Sequence, residues 1–413
     1  MARACEARRR RGWPGLRSRD IRLLCGGQTI SILGSQVHAV ALPWLVLDAT
    51  GSGTALGAVL MVAAVPRALL MMAGGAVTDR VSPRRAVLWA HVVRALLVAG
   101  LAMCVSTGTL AWTMLLVIVA LMGTADALFY PAYAALIPRL VPKEQLVSAN
   151  AVLQGGAQAA GLAGPALGGF VVASCGVGAA LALDAATFVV AAATLGWMGR
   201  SPDQPEASGQ AEVRAPGVVG QLRWHPEVRS ALLAVAVVNF AFVGPFTIGV
   251  ALVAHERLAG GPAALGWVFS ALGAGALLGS LVASSVAARA RALGRLVAIT
   301  MALVAGGLAC MAFVTDVRAA MAAAGTMGAA AGVLNPTLFG SLQGATDGAM
   351  RGRVMGLAML GAVGLTPLSY ALAGLVAARW GASAMFAGAA AVLVAALSRL
   401  APRMSGPRSQ ADR

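Results

Sequence analysis

The sequence predicts an all-α polytopic membrane protein, with twelve transmembrane helices in two pseudo-symmetric six-helix halves. First, its 413 residues are 59% hydrophobic and 11% charged, with a mean hydropathy of +0.81, far more apolar than a soluble globular protein. Second, the apolar residues form runs of about 20, the length that crosses a bilayer as a helix. Third, one long polar stretch separates six runs from six.

Each span corresponds to one apolar run between charged or turn-forming residues. The first six are predicted at 21–46, 53–78, 86–106, 111–136, 148–174 and 178–199. The second six are predicted at 230–254, 263–287, 295–314, 318–342, 353–378 and 381–399.

The basic residues cluster between the spans. With the N-terminus in the cytoplasm, 26 of the 31 Lys and Arg residues lie in the tails and cytoplasmic loops. This asymmetry follows the positive-inside rule, so we expect a multi-pass protein of the plasma (inner) membrane with both termini cytoplasmic. The net charge of +16 therefore reflects topology, and the expected surroundings are a lipid bilayer rather than a nucleic acid.

The predicted domains follow from the spans. A basic cytoplasmic tail (1–20) precedes an N-terminal six-helix bundle (21–199), and a second bundle (230–399) ends in a cytoplasmic tail (400–413). Residues 200–229 are rich in Pro, Ser, Gly and acids, which predicts a cytoplasmic linker. Its last part predicts either a short helix at the membrane surface or a plain loop.

The two halves repeat each other weakly. GLAGPALGG (161–169) in span five has a counterpart, GAVGLTPLSYALAG (361–374), in span eleven. Repeated halves that enclose a site near the bilayer midplane are a common plan of secondary transporters. Since the halves already form that interface, we expect a monomer.

Catalytic motifs are missing from the sequence. It contains no G-x-x-x-x-G-K-[ST], G-x-S-x-G or H-E-x-x-H pattern and only four histidines. The five cysteines have no paired spacing, so neither a disulfide framework nor a metal site is predicted. We therefore expect no enzyme and no cofactor.

A cluster of charge, GGAVTDRVSPRR (74–85), separates spans two and three. Asp79 is surrounded there by Arg80, Arg84 and Arg85, so local ion pairing at the membrane surface accounts for part of its role. The alternative is a basic loop that only sets the topology.

This cluster resembles a signature of the major facilitator superfamily, Gly-x-x-x-Asp-Arg-x-x-x-Arg-Arg, in the loop after helix two. The matching residues are Gly75, Asp79, Arg80, Arg84 and Arg85. The resemblance implies that Asp79 faces the start of span eleven, where Arg351 or Arg353 and the helix dipole favour its charge. The loop would then act as a gate that stabilises the outward-open state.

A second motif resembles the Gly-Pro-x-x-Gly-Gly signature on helix five of drug exporters. The matching residues are Gly161, Gly164, Pro165, Gly168 and Gly169. Further stretches, such as ALPWLVLDATGS (41–52) and RGRVMGL (351–357), are similar to macrolide efflux proteins and the enterobactin exporter. The resemblance implies drug and proton antiport driven by a proton gradient, while the residues alone also fit a packing groove with a proline bend.

Charged residues inside spans need partners, a wet cavity or a function. Arg67 in span two and Asp126 in span four lie at similar depth, so we predict that they pair. Arg94 in span three lies close to the inner surface, where a side chain that reaches the interface explains it as well as a function does. Asp184 is predicted near the outer end of span six, in a capping or packing role.

The predicted proton or substrate path joins these charges to polar residues of both halves. Its members are Asp126, Arg67, His38, Gln36, Asn239 and Asn335. Asp126 is the first candidate proton carrier and His38 the second, because an imidazole titrates near physiological pH. Trp44, Phe240, Phe242 and Phe246, with few polar anchors, predict a mostly apolar cavity, which favours a large lipophilic substrate.

The predicted function is export of a hydrophobic or amphipathic small molecule, such as a drug, antibiotic, siderophore or secondary metabolite, by proton antiport with alternating access. An uptake permease or an uncoupled facilitator of the same fold remains an alternative. So does a membrane sensor that transports nothing.

Overall fold

A computed structural model of the chain describes residues 19–78, 82–199, 226–289, 293–344, 346 and 348–404. Within these ranges the regular structure is helical, as predicted. The α-helices are α1 (Arg19–Thr50), α2 (Gly53–Thr78), α3 (Pro83–Ser106), α4 (Trp112–Leu140), α5 (Leu146–Trp197), α6 (Pro226–Glu256), α7 (Gly261–Arg289), α8 (Leu293–Met311), α9 (Val317–Gly344), α10 (Gly348–Met359) and α11 (Thr366–Met404). A short 3-10 turn (Lys143–Gln145) precedes α5, and a π-helical turn (Leu360–Gly364) precedes α11. The first part of the predicted linker lies outside these ranges.

Ten helical stretches in the described ranges are long and apolar enough to cross a membrane. Two of them, α5 and α11, contain a break at a single glycine. Gly176 has a φ of +84° and Gly381 a φ of +81°, values that L side chains rarely adopt. The breaks fall where the sequence predicts the ends of spans five and eleven, so one glycine replaces a loop at each place.

The helices pack as two groups, α1–α5 and α6–α11. In the first group, α1 and α3 pack against α5, and α2 packs against α4. In the second, α7 packs against α9, and both α6 and α8 pack against α11. The groups meet where α5 packs on α7 and α2 packs on α11.

Glycines allow the two groups to touch through their backbones. A Cβ atom on Gly169 of α5 would lie 2.5 Å from the carbonyl oxygen of Pro262, and one on Gly57 of α2 would lie 2.8 Å from that of Tyr370. In lipid, where no hydrophobic effect drives helices together, such close approach favours association through dispersion contacts.

Several of the contacts between the groups lie at one face of the molecule, where α1 and α6 end and α2 and α7 begin. There the ring of Trp44 lies 5.2 Å from that of His255, centroid to centroid. Gly53, at the start of α2, lies against Leu252 and Ala377. We call this side the closed face.

Candidate functional site

A cavity of about 560 Å³ lies between the two groups of helices. Residues from α1, α2, α4 and α5 line one side, and residues from α6, α7 and α11 line the other. Its walls are mostly apolar, with a few polar and charged side chains. Charged side chains beside a cavity inside a membrane are energetically costly unless water fills the cavity or the charge has a function.

Four of the six residues of the predicted path line this cavity: Gln36, His38, Arg67 and Asp126. The other two, Asn239 and Asn335, are not among the residues that line it. Asn239 donates its amide hydrogen to the carbonyl oxygen of Val235, one turn earlier in α6, at 2.8 Å.

The predicted ion pair between Arg67 and Asp126 is wrong, because Asp126 pairs with Arg94. Arg94 is 5% exposed, so it does not reach for the membrane surface as the sequence suggested. Its guanidinium lies 4.4 Å from the ring centre of Phe129 and 5.6 Å from that of Phe188. These rings replace water around the cation and hold it towards the carboxylate.

Arg67 reaches the cavity without an acidic partner among the residues the structure describes. Its Nε atom is buried and has no hydrogen-bond acceptor. Tyr370 of α11, which lies within electrostatic reach of Arg67, also lines the cavity. Arg67 therefore puts a positive charge on the wall where the two groups face each other.

The structure brings together two residues that the sequence analysis treated separately. Nδ1 of His38 in α1 lies 3.0 Å from Oδ2 of Asp184 in α5. The side chain of His38 is 13% exposed and that of Asp184 is 0% exposed. Asp184 is thus a buried partner of a cavity residue, and not a surface cap. A histidine in one apolar span and an aspartate in another were the signal that could have suggested this pair.

Three phenylalanine rings form a ladder on the other side of the cavity. The rings of Phe242 and Phe246 in α6 stack with centroids 5.0 Å apart, and Phe246 stacks with Phe269 of α7 at 5.5 Å. All three line the cavity. Stacked rings offer a broad apolar surface to the flat or lipophilic part of a ligand.

The predicted span-five signature lies between two neighbouring helices. Cβ atoms on Gly161, Gly164 and Gly168 would face α1, while one on Gly169 would face α7. The carbonyl oxygen of Gly161 approaches Gly273 of α7. Pro165 lies between these faces and lines the cavity. This stretch of α5 therefore packs against α1 of the first group and against α7 of the second group.

Pro165 also disturbs the backbone hydrogen bonds of α5. The next backbone N–H, that of Ala166, donates to the hydroxyl oxygen of Ser270 in α7 at 2.9 Å. A serine of the second group thus satisfies a backbone donor of the first. The sequence analysis did not identify Ser270, since one serine in an apolar span has no distinctive spacing.

The predicted gating loop is described only in part. Asp79 and Arg80 lie outside the described residues, as do the surroundings of Gly75 and the side chains of Arg351 and Arg353. Arg84 donates hydrogen bonds to the carbonyl oxygens of Leu195, Met198 and Gly199, at 2.6 to 2.7 Å. Its positive charge therefore caps the C-terminal end of α5, within its own group. Arg85 is exposed.

Across the described parts of the chain, no group of three or more His, Cys, Asp or Glu side chains could hold a metal ion. The side chains that line the cavity are apolar, hydrogen-bonding and charged.

Comparison with known proteins gives this arrangement a context. The profile of one protein family, transmembrane secretion effector, matches residues 11–411. The chain belongs to this family of the major facilitator superfamily. A multi-pass membrane transporter of the drug-efflux subgroup is thus the identity that its sequence supports.

Similar proteins agree with membership of this transporter family. The multidrug efflux pump Tap of Mycolicibacterium fortuitum is 27% identical over 365 residues, which cover 86% of this chain and 88% of Tap. A solved variant of the nucleoside transporter NupG has a TM-score of 0.76 at 13% identity and covers 94% of this chain and 100% of its own. An inward-facing bacterial homologue of ferroportin has a TM-score of 0.74 at 16% identity, covering 94% and 99%. At these identities the two structures show the shared fold alone.

Proposed function

We propose that the protein exports a lipophilic or amphipathic small molecule from the cytoplasm in exchange for protons, by alternating access. The observation that supports this most directly is the cavity, which lies between two helix groups and has titratable side chains in its wall. The named activity of the relative Tap, multidrug efflux, agrees with an apolar cavity of this kind.

The proposed membrane arrangement has twelve spans in two six-helix halves. Breaks at Gly176 and Gly381 divide α5 and α11 into two limbs each, which adds two spans to the ten helical stretches. Twelve spans place both termini on one side, and the positive-inside rule assigns that side to the cytoplasm of the plasma membrane. The closed face is then the outer one.

Alternating access requires the closed face to open while the opposite side closes. Contact there depends on glycine packing at Gly57 and Gly169 and on the rings of Trp44 and His255. Contacts of this kind can part as rigid surfaces without unfolding a helix. On the cytoplasmic side, we propose that Asp79 and Arg80, with Arg351 or Arg353, hold the halves together once the outer side has opened.

The vesicle experiment that tests the proposal measures internal pH and labelled compound together. Everted vesicles with an acidic interior are challenged with erythromycin, ethidium and a catecholate siderophore, and vesicles without the protein are the control. We expect at least one compound to accumulate inside while internal pH rises. Movement down the compound's own gradient with no pH change would contradict antiport and indicate a facilitator. Proton and compound leaving together would indicate symport in the uptake direction.

A further inference from the structure

Asp184 is a carboxylate in surroundings that do not solvate it. Its side chain is 0% exposed, and neither carboxylate oxygen accepts a hydrogen bond from a described residue. The hydroxyl of Thr187 donates to the backbone carbonyl oxygen of Asp184 at 2.7 Å, and not to its carboxylate. A buried carboxylate of this kind is costly unless a cation pairs with it or a proton neutralises it.

His38 can supply either the cation or the proton. Its Nδ1 atom lies 3.0 Å from Oδ2 of Asp184, in a close contact that is not a hydrogen bond. Gly34, one turn earlier in α1, leaves room for the carboxylate, because a Cβ atom there would lie 2.7 Å from Oδ1. Since His38 is partly exposed and lines the cavity, cavity water can exchange protons with it.

The other charged groups around the cavity differ from this pair. Asp126 of α4 pairs with Arg94 of α3, whose guanidinium keeps its charge. His91 of α3 is 1% exposed, packs against Phe129 and Phe188, and is not among the residues that line the cavity. Arg67 of α2 is itself a permanent cation. Among the described residues that line the cavity, Asp184 is therefore the acid whose partner can also titrate.

We infer that the His38–Asp184 pair binds and releases the proton that drives export, an inference that rests on the proposed function. The neutral imidazole beside the carboxylate takes one proton from cavity water and becomes an imidazolium–carboxylate pair. Releasing the same proton to water restores the first state, and no other bond changes.

Competition for His38 links the proton to the substrate. A lipophilic molecule in the cavity displaces water from the exposed edge of His38, and loss of water disfavours the charged imidazolium. The bound molecule thus expels the proton, and protonation weakens the binding of the molecule. That mutual exclusion is the condition for antiport, and it works for substrates without charge.

The test compares two measurements on purified protein in proteoliposomes with labelled erythromycin. One is accumulation driven by an acidic interior, and the other is exchange of labelled for unlabelled erythromycin without a pH gradient. The variants are Asp184→Asn and His38→Gln. Asp48→Asn is the matched control, because Asp48 is exposed near the end of α1, and Asp126→Asn tests the other acid.

We expect Asp184→Asn and His38→Gln to lose at least about tenfold in gradient-driven accumulation while exchange continues, since only the coupling between proton and substrate is removed. In Asp48→Asn, accumulation should keep its wild-type ratio to exchange, and Asp126→Asn should still respond to the gradient. The inference is overturned if Asp184→Asn responds to the gradient as wild type does, or if Asp126→Asn alone loses the response. Loss of exchange in both pair variants would show a structural role and also overturn it. Wild type without any gradient response would refute the proposed function itself, and the inference with it.

Discussion

Replacing Arg94 with Gln is expected to lower the free energy of unfolding by about 3 kcal/mol, the lower end of the range for breaking a buried ion pair. The substitution leaves the Asp126 carboxylate without its cation and removes the contacts of the guanidinium with Phe129 and Phe188. The lower value applies because the side chain of Asp126 keeps 30% exposure, to the cavity that it lines. Unfolding in mixed micelles with increasing dodecyl sulfate, followed by circular dichroism, measures the change.

A double-mutant cycle separates the ion pair from the ring contacts. Arg94→Gln combined with Asp126→Asn should recover part of the lost stability, since no unpaired charge remains. Arg379→Gln, at an exposed position in α11, is the matched control and should change stability little. A coupling energy near zero between positions 94 and 126 would contradict the pair.

Replacing Gly169 with Ala is expected to lower erythromycin efflux at least about fivefold, because overpacking at this contact costs about 1–3 kcal/mol in the closed conformation only. The added Cβ atom would lie 2.5 Å from the carbonyl oxygen of Pro262 and 3.0 Å from Cα of Gly266. Backbone atoms of α7 cannot move aside without separating the groups. Initial efflux rates at equal protein levels in everted vesicles measure the effect.

Gly155→Ala, in the same helix, is the matched control for this prediction. No atom lies within 4 Å of a Cβ atom at position 155. Efflux by Gly155→Ala should equal that of wild type. If Gly169→Ala also transports at the wild-type rate, the contact between α5 and α7 does not limit the cycle.

The spans were predictable because length and hydropathy decide what crosses a bilayer. Apolar runs between basic clusters gave the positions of most helices to within a few residues. Gly176 and Gly381 show what hydropathy cannot predict. Hydropathy shows that the chain stays apolar at these positions, but it does not show that two helices join there through a single residue with positive φ.

The partners of the charges were harder to predict. Sequence position gives the depth of a residue in the membrane, but the direction it faces depends on how the helices are rotated and packed. Arg67 and Asp126 were matched by depth and both reach the cavity, yet Arg94 takes the carboxylate because α3 and α4 place it among aromatic rings. His38 and Asp184 come from distant parts of the chain and meet because Gly34 lets α1 approach α5.

The proposed transport cycle requires the two helix groups to separate at the closed face each time. A Cβ atom on Gly53 of α2 would lie 3.3 Å from the Cβ atom of Ala377 in α11, close to the separation found in disulfides. The most direct test is therefore erythromycin efflux by the Gly53→Cys/Ala377→Cys variant, in a background without the native cysteines, before oxidation, after oxidation and after reduction. The single-cysteine variants are the controls. We expect cross-linking to lower efflux at least about tenfold and reduction to restore it, because the bond holds the outer face shut. Complete cross-linking with unchanged efflux would show that the helix groups do not need to separate at the closed face.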